Sequence, residues 1–369
     1  MKKFLSFVVM IAICFGILIP TANAAEDVII LNPEIQAIRV LMENRDMDVD
    51  DLMTEVLYDQ NDMPSFLLGY TENNYLIMNR NLYKCLESGE GNPYLGTDNS
   101  SRKYYGGLLQ YYVGVDKGFQ NLVSNATEEE VRTTDYIAEG TPLTYAISSD
   151  TRQANLLATV ESSKYLPYYS TRLTNKAFGF NDDNTCTAVA VSLILNYLDI
   201  TYNDGIVPDN LELENLSEDV TSDANSSYVK NTYPNAYALH RTLVDNCHLG
   251  PVSYADAVVR AAQPFSSQYM NNVRVSVTWN LAEIPNNNVL TSIDNKMPSM
   301  VTYTFFGGYQ FHSMPAYGYR LLSDGSKEYL VHTGWYSTIR NNTVSKQRMP
   351  LVWASEEAFT YLYKFSIGT

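Results

Sequence analysis

Positive charge is scarce in this chain. Its 369 residues carry 25 Lys and Arg against 41 Asp and Glu, a formal net charge of −16. Neutralising a phosphate backbone needs a cationic face, so nucleic-acid binding is excluded as a main function. Cysteine is scarce too: Cys14, Cys85, Cys186 and Cys247 are all there are. That rules out a dense disulfide scaffold. No set of His, Cys, Asp and Glu has zinc spacing, and no Gly-rich loop could cradle a phosphate. No metal or cofactor is therefore expected. Beyond the N-terminus no apolar run is long enough to span a bilayer, and no repeat recurs along the chain.

Apolar residues, in contrast, make up 45% of the chain and aromatics 12%, with 29 Tyr. That is ample for a packed core and excludes global disorder. The length suggests two domains. Residues 1–24 have the pattern of a signal peptide. Lys2 and Lys3 precede the apolar run Phe4 to Ile19, Pro20 breaks it, and Ala22-Asn23-Ala24 is a cleavage triplet. The mature protein is thus expected to be secreted, without stable membrane association. Cys14 would leave with the leader, so an odd number of cysteines remains and at least one thiol must stay free or pair between molecules.

Residues 25–139 read as a small acidic α+β module. A helix-like segment runs from Pro33 to Met53. Phe66 to Tyr70 and Tyr75 to Met78 flank an Asn-rich turn, as in a β-hairpin. Tyr104 to Tyr112 looks like a docking segment. Residues 140–172 are rich in Ser, Thr, Arg and Tyr with weak periodicity and are expected to form a linker, with Lys164 and Arg172 as accessible cleavage positions. Residues 173–369 form the second domain. Ala188 to Leu198 is apolar nearly all round and predicts a buried helix. Met300 to Phe306, Phe311 to Tyr319 and Tyr329 to Thr333 read as strands, the last two joined by a tight turn at Ser323-Asp-Gly325. Helix followed by antiparallel strands gives an α+β class.

Cys186 opens the buried helix. A helix N-terminus presents free N–H groups and partial positive charge, which favour a thiolate. A free cysteine in such a place is otherwise a small buried hydrophobe. His312 lies on the second strand, and a Cys–His pair needs the imidazole about 3–4 Å from sulfur, held by a third group. His332 or Thr333, one hairpin away, could supply that group. Cys247-His248 precedes Gly250-Pro251, at a helix C-terminus that disfavours a thiolate, so Cys247 reads as structural. Cys85 has no evident chemical role.

A Cys at the start of a buried helix, a His on a later strand and a Gly-Trp beyond it resemble the papain-like cysteine peptidase superfamily. Within it the likeness is to the bacterial streptopain-like and double-glycine leader peptidase-like branches. The residues that carry it are Asn181-Asp-Asp-Asn-Thr-Cys-Thr-Ala-Val-Ala190, Asn295-Lys-Met-Pro-Ser-Met300, His312-Ser-Met-Pro-Ala-Tyr-Gly-Tyr319 and Val331-His-Thr-Gly-Trp335. The hairpin ending at Met78 and Lys103-Tyr-Tyr-Gly-Gly107 resemble, more loosely, the propeptide of streptopain-like zymogens. The resemblance implies a papain-like catalytic domain over 173–369, behind an inhibitory prodomain. It makes Cys186 the nucleophile and His312 the general base and acid. Trp335 would shield the pair from water.

Two positions depart from the family. Phe180 stands where an oxyanion Gln or Asn is usual, which leaves Asn181, then Asn184, for that role. The orienting Asn or Asp is replaced by His332-Thr333, so that His332 or a main-chain carbonyl would orient His312. The expected activity is hydrolysis of peptide bonds in protein or peptide substrates, by a zymogen whose prodomain is its own inhibitor. Two other classes stay open. One is a Cys–His cell-wall amidase or transglutaminase-like enzyme; the other is a secreted binding protein that kept the fold without the activity.

Overall fold

A computed structural model describes residues 33–57, 64–90, 94–95, 103–104, 149–181, 185–202, 205–216, 225–247, 249, 273–278, 289–303, 312–334, 336, 351–356 and 359–367. The leader at 1–24, most of Tyr104 to Tyr112, Asn184 and Trp335 lie outside these residues.

Helix α1 (Pro33–Glu43) opens the described chain, and four strands follow: β1 (Met53–Leu57), β2 (Phe66–Tyr70), β3 (Asn74–Asn79) and β4 (Lys84–Glu90). The helix is shorter than the sequence suggests. Asp46 and Asp51 adopt positive φ, which ends the helical run well before Met53. The hairpin forms with Tyr70 opposite Tyr75, and Thr71 caps its turn through hydrogen bonds from Asn73 and Asn74 N–H. Strands β5 (Tyr94–Leu95) and β6 (Lys103–Tyr104) pair with each other.

The stretch expected to be a linker carries regular structure: helix α2 (Ser149–Leu157), strand β7 (Val160–Tyr165) and a helical turn α3 (Tyr169–Arg172). The side chains of β7 are mostly exposed, so its sequence lacks alternation; main-chain pairing with β10, a Lys164–Asp294 ion pair and ring contacts of Tyr165 hold it. Next come α4 (Cys186–Tyr202), a 3-10 turn at Asp209–Leu211, α5 (Ser226–Thr232), α6 (Pro234–Asp245), β8 (Val273–Thr278), α7 (Val289–Asp294), β9 (Ser299–Tyr303), β10 (His312–Leu322), β11 (Lys327–His332), β12 (Leu351–Ser355) and β13 (Phe359–Ile367).

One antiparallel sheet runs through the molecule in the order β1-β2-β3-β4-β12-β11-β10-β9-β13-β8. Strand β10 is its hub. Its N-terminal half pairs with β9, its C-terminal half with β7, and β11 takes the other edge. Pro315, which has no N–H to give, lies just before the β11 ladder begins at Ala316. Gly318 admits β7: a Cβ there would stand 2.7 Å from the Lys164 carbonyl oxygen. Helix α4 packs on β10. Nearly every α4 side chain is buried, from Cys186 to Asp199. Two of its buried polar side chains serve the next loop: Asp199 Oδ1 accepts from the N–H groups of Gly205, Ile206 and Val207, and Asn196 Oδ1 from Leu213 N–H. Among the described residues no helix is long and apolar enough to cross a membrane.

The acidic N-terminal module joins the same sheet. Strand β4 pairs with β12, Gly89 opposite Val352 and Ser88 opposite Trp353. Beneath that seam lies a buried charge network. Arg45, just after α1, meets Glu328 Oε1 through Nη2 at 2.6 Å. Arg320 pairs with the other carboxylate oxygen, donates to Ser88 Oγ at 2.9 Å, and lies over the Trp353 ring. Burial alone would raise the Glu328 carboxyl. The charges of Arg320 and Arg45 outweigh it and hold the pKa down at about 2, against an ordinary 4.5.

Glu328 thus stabilises the fold fully above pH 4.5, and its contribution falls away as pH drops from there toward about 2. Glu328→Gln leaves two buried guanidinium groups without their carboxylate. It should cost about 3 kcal/mol in urea unfolding at pH 7, and should flatten the pH dependence of stability across that acid window.

Candidate active site

The site forms where the first turn of α4 meets the N-terminal end of β10. Cys186 is 6% exposed and His312 2%. Ser313 N–H donates to Cys186 Sγ at 3.5 Å, so the sulfur sits one peptide unit from His312. The hydroxyl of Thr187 donates to Ser313 Oγ at 3.0 Å, which fixes the helix start against the strand. Ser313 Oγ is in turn 3.3 Å from Thr302 Oγ1 on β9.

His312 Nε2 lies 2.6 Å from the Thr333 carbonyl oxygen. A carbonyl only accepts, so Nε2 carries the proton and Nδ1 of the neutral ring keeps its lone pair. The group that orients His312 is therefore main chain, one of the two possibilities that the sequence leaves. His332, fully buried, is fixed differently. Its Nδ1 accepts from Gly334 N–H at 2.9 Å, and its ring meets Phe178 and Tyr317 edge-on. Tyr336 closes this side, its hydroxyl donating to the Phe178 carbonyl at 2.6 Å.

Asn181 is half-buried, and its Oδ1 is shut away from solvent with no hydrogen-bond partner among the described residues. Asn184 and Trp335 lie outside the described residues. Cys85, Cys186 and Cys247 are all free thiols. Burial raises Cys85 to about 12 and Cys247 to about 11, values that suit inert packing groups.

Burial also dominates the titration of the site. It raises the Cys186 thiol, against the pull of the hydrogen bonds from Ser313 and Thr187. It pushes His312 down to about 4, against the Thr333 carbonyl, and His332 down to about 3. At neutral pH the described arrangement therefore holds a thiol and a neutral imidazole. Sequence reasoning missed three residues at the site: Thr187, Ser313, and His240, whose Nε2 is 3.0 Å from Thr185 Oγ1 beside Cys186. Thr185 and Thr187 could have been flagged as hydroxyls flanking Cys186. The others depend on contacts far apart in sequence. Among the described residues no group of His, Cys, Asp and Glu could hold a metal ion.

No protein-family model and no curated protein matches this sequence. Among solved structures, the bromelain protease from Ananas comosus in complex with the E64 inhibitor is 15% identical, over 56% of this chain and 99% of that one, with a TM-score of 0.26. A recombinant stem bromelain precursor is 17% identical over 56% and 70%, also with a TM-score of 0.26.

The raised thiol gives a direct expectation. In the intact chain at neutral pH, Cys186 should react with iodoacetamide more slowly than a free cysteine. Its rate should climb with an inflection above the ordinary 9.0. Peptide mapping of alkylation rates from pH 6 to 10.5 measures it.

Proposed function

We propose that this chain is an exported cysteine peptidase made in a latent form. The observation that carries the reading is the Ser313 N–H to Cys186 Sγ contact, which joins the start of a buried helix to the strand bearing His312. A nucleophile, a base with an unprotonated Nδ1 and a group orienting that base are the parts acyl transfer needs.

The chemistry runs as follows. His312 Nδ1 takes the Cys186 proton, and Sγ attacks the substrate carbonyl carbon. The carbonyl electron pair becomes an oxyanion, received by N–H groups of the first turn of α4 and by the Asn181 amide. As the C–N bond breaks, His312 gives its proton to the leaving amine, which leaves a thioester on Cys186. Water, deprotonated by His312, attacks the thioester, and the acid departs with the thiol restored. The Thr333 carbonyl keeps the imidazole aimed throughout and stabilises its protonated form.

Latency follows from electrostatics. A thiolate–imidazolium pair is costly in a dry site, and burial holds both partners neutral. Opening the site to water or substrate would return both pKa values toward each other. The acidic module of residues 25–139 acts as the intramolecular inhibitor, and cleavage within 140–172 starts activation. A cut on the N-terminal side of β7 leaves that strand paired with β10. The leader at 1–24 directs export, and the substrates are proteins or peptides.

The test is conversion of the exported protein under reductant, followed by mass spectrometry. Wild type should yield a fragment beginning within 140–172 that digests casein. Cys186→Ala should stay whole, and His312→Ala should lose about 10³-fold or more in rate. A Cys186→Ala protein that still processes itself overturns the mechanism. A wild type that stays whole with an inert thiol points to a binding protein; turnover of peptidoglycan but not casein points to an amidase.

A further inference from the structure

Two threonines flank Cys186, and their hydroxyls are tied to different elements. Thr187 reaches Ser313 on β10, as described above. Thr185 Oγ1 is 3.0 Å from Nε2 of His240, which lies on α6 and is 2% exposed. The same ring presses against the chain ahead of the site. A Cβ on Gly179 would stand 2.2 Å from both Cβ and Cγ of His240, so only glycine fits there. One imidazole therefore touches the chain on both sides of residues 180–184, at Gly179 before them and Thr185 after them. Asn181 lies inside that span.

A buried imidazole is an expensive way to fill space between two helices. Leu or Met would pack without desolvating two ring nitrogens. What the imidazole adds is an oriented hydrogen bond at the residue that precedes the nucleophile. Donors that stabilise an oxyanion act only if they are held in place beforehand, and a displacement of about 1 Å can cost 10²-fold in rate.

We infer that His240 is a positioning residue for the Cys186 site. Its ring fixes the separation of Gly179 and Thr185, and so sets where Asn181 and the first turn of α4 present their donors. This rests on the hydrolase reading above. His240 acts through Thr185 and Gly179 and does not itself touch substrate.

The test uses the full chain after activation, with fluorescein-labelled casein as substrate and rates normalised to alkylatable Cys186. Thr185→Val keeps the shape and removes the hydroxyl; Thr185→Ser keeps the hydroxyl. His240→Leu removes the ring nitrogen; His240→Gln places an amide nitrogen near Nε2. Expected is a fall in kcat of roughly 10- to 100-fold for Thr185→Val and His240→Leu with KM little changed, and recovery of most of it in Thr185→Ser and His240→Gln. Wild-type kcat in Thr185→Val, or a raised KM at constant kcat, overturns the assignment while leaving the hydrolase reading intact. If His240→Leu does not fold, the Thr185 pair decides. A processed wild type that cleaves no casein, with Cys186 no more reactive than Cys247, overturns both.

Discussion

The contact between the start of α4 and the start of β10 is the constraint on which the site depends. A helix can slide along a sheet by a turn with little change in apolar burial, since α4 is buried nearly all round and offers no stripe to set its phase. Something directional must fix the phase. Here the Ser313 N–H to Cys186 Sγ and the Thr187 hydroxyl to Ser313 Oγ are two such polar contacts. Each is worth only about 1 kcal/mol net, yet each costs more than that when buried and unmade. That asymmetry lets small polar groups specify an arrangement that hydrophobic burial merely stabilises.

The same burial sets chemistry against stability. A core dry enough to anchor α4 is dry enough to neutralise Cys186 and His312. Both groups sit where an element begins, Cys186 at the first turn of α4 and His312 at the first residue of β10. Main-chain geometry at Thr333 puts the proton on Nε2 of His312 and leaves Nδ1 unprotonated, so the ring's tautomer is set by the backbone.

Much of this was legible in the chain. The all-round apolar run after Ala188 marked α4, and apolar, β-rich runs around turn residues marked the β2–β3 and β10–β11 hairpins, because these signals are local. Cys186 and His312 stood out as candidates for the same reason: a side chain announces itself. A carbonyl acceptor does not, which is why the Thr333 oxygen had only the standing of a generic possibility. Strand β7 reads as linker in the sequence because its exposed side chains need no alternation. The β4–β12 seam brings together segments more than two hundred residues apart, and no window of sequence contains both. His240 sits in an amphipathic helix whose pattern explains its burial without the Thr185 contact.

The seam of β4 with β12, with Arg45, Glu328 and Arg320 beneath it, bears on what a cut chain can do. Severing the backbone between the N-terminal module and the rest removes a covalent link but no strand pairing and no ion pair. The halves would then form a two-chain complex whose lifetime is set by how fast a sheet unzips. Dissociation of that kind has a large activation enthalpy, as unfolding does. The interval between nicking and physical departure of the N-terminal half would lengthen steeply in the cold. Scission and separation are then distinct events with distinct clocks.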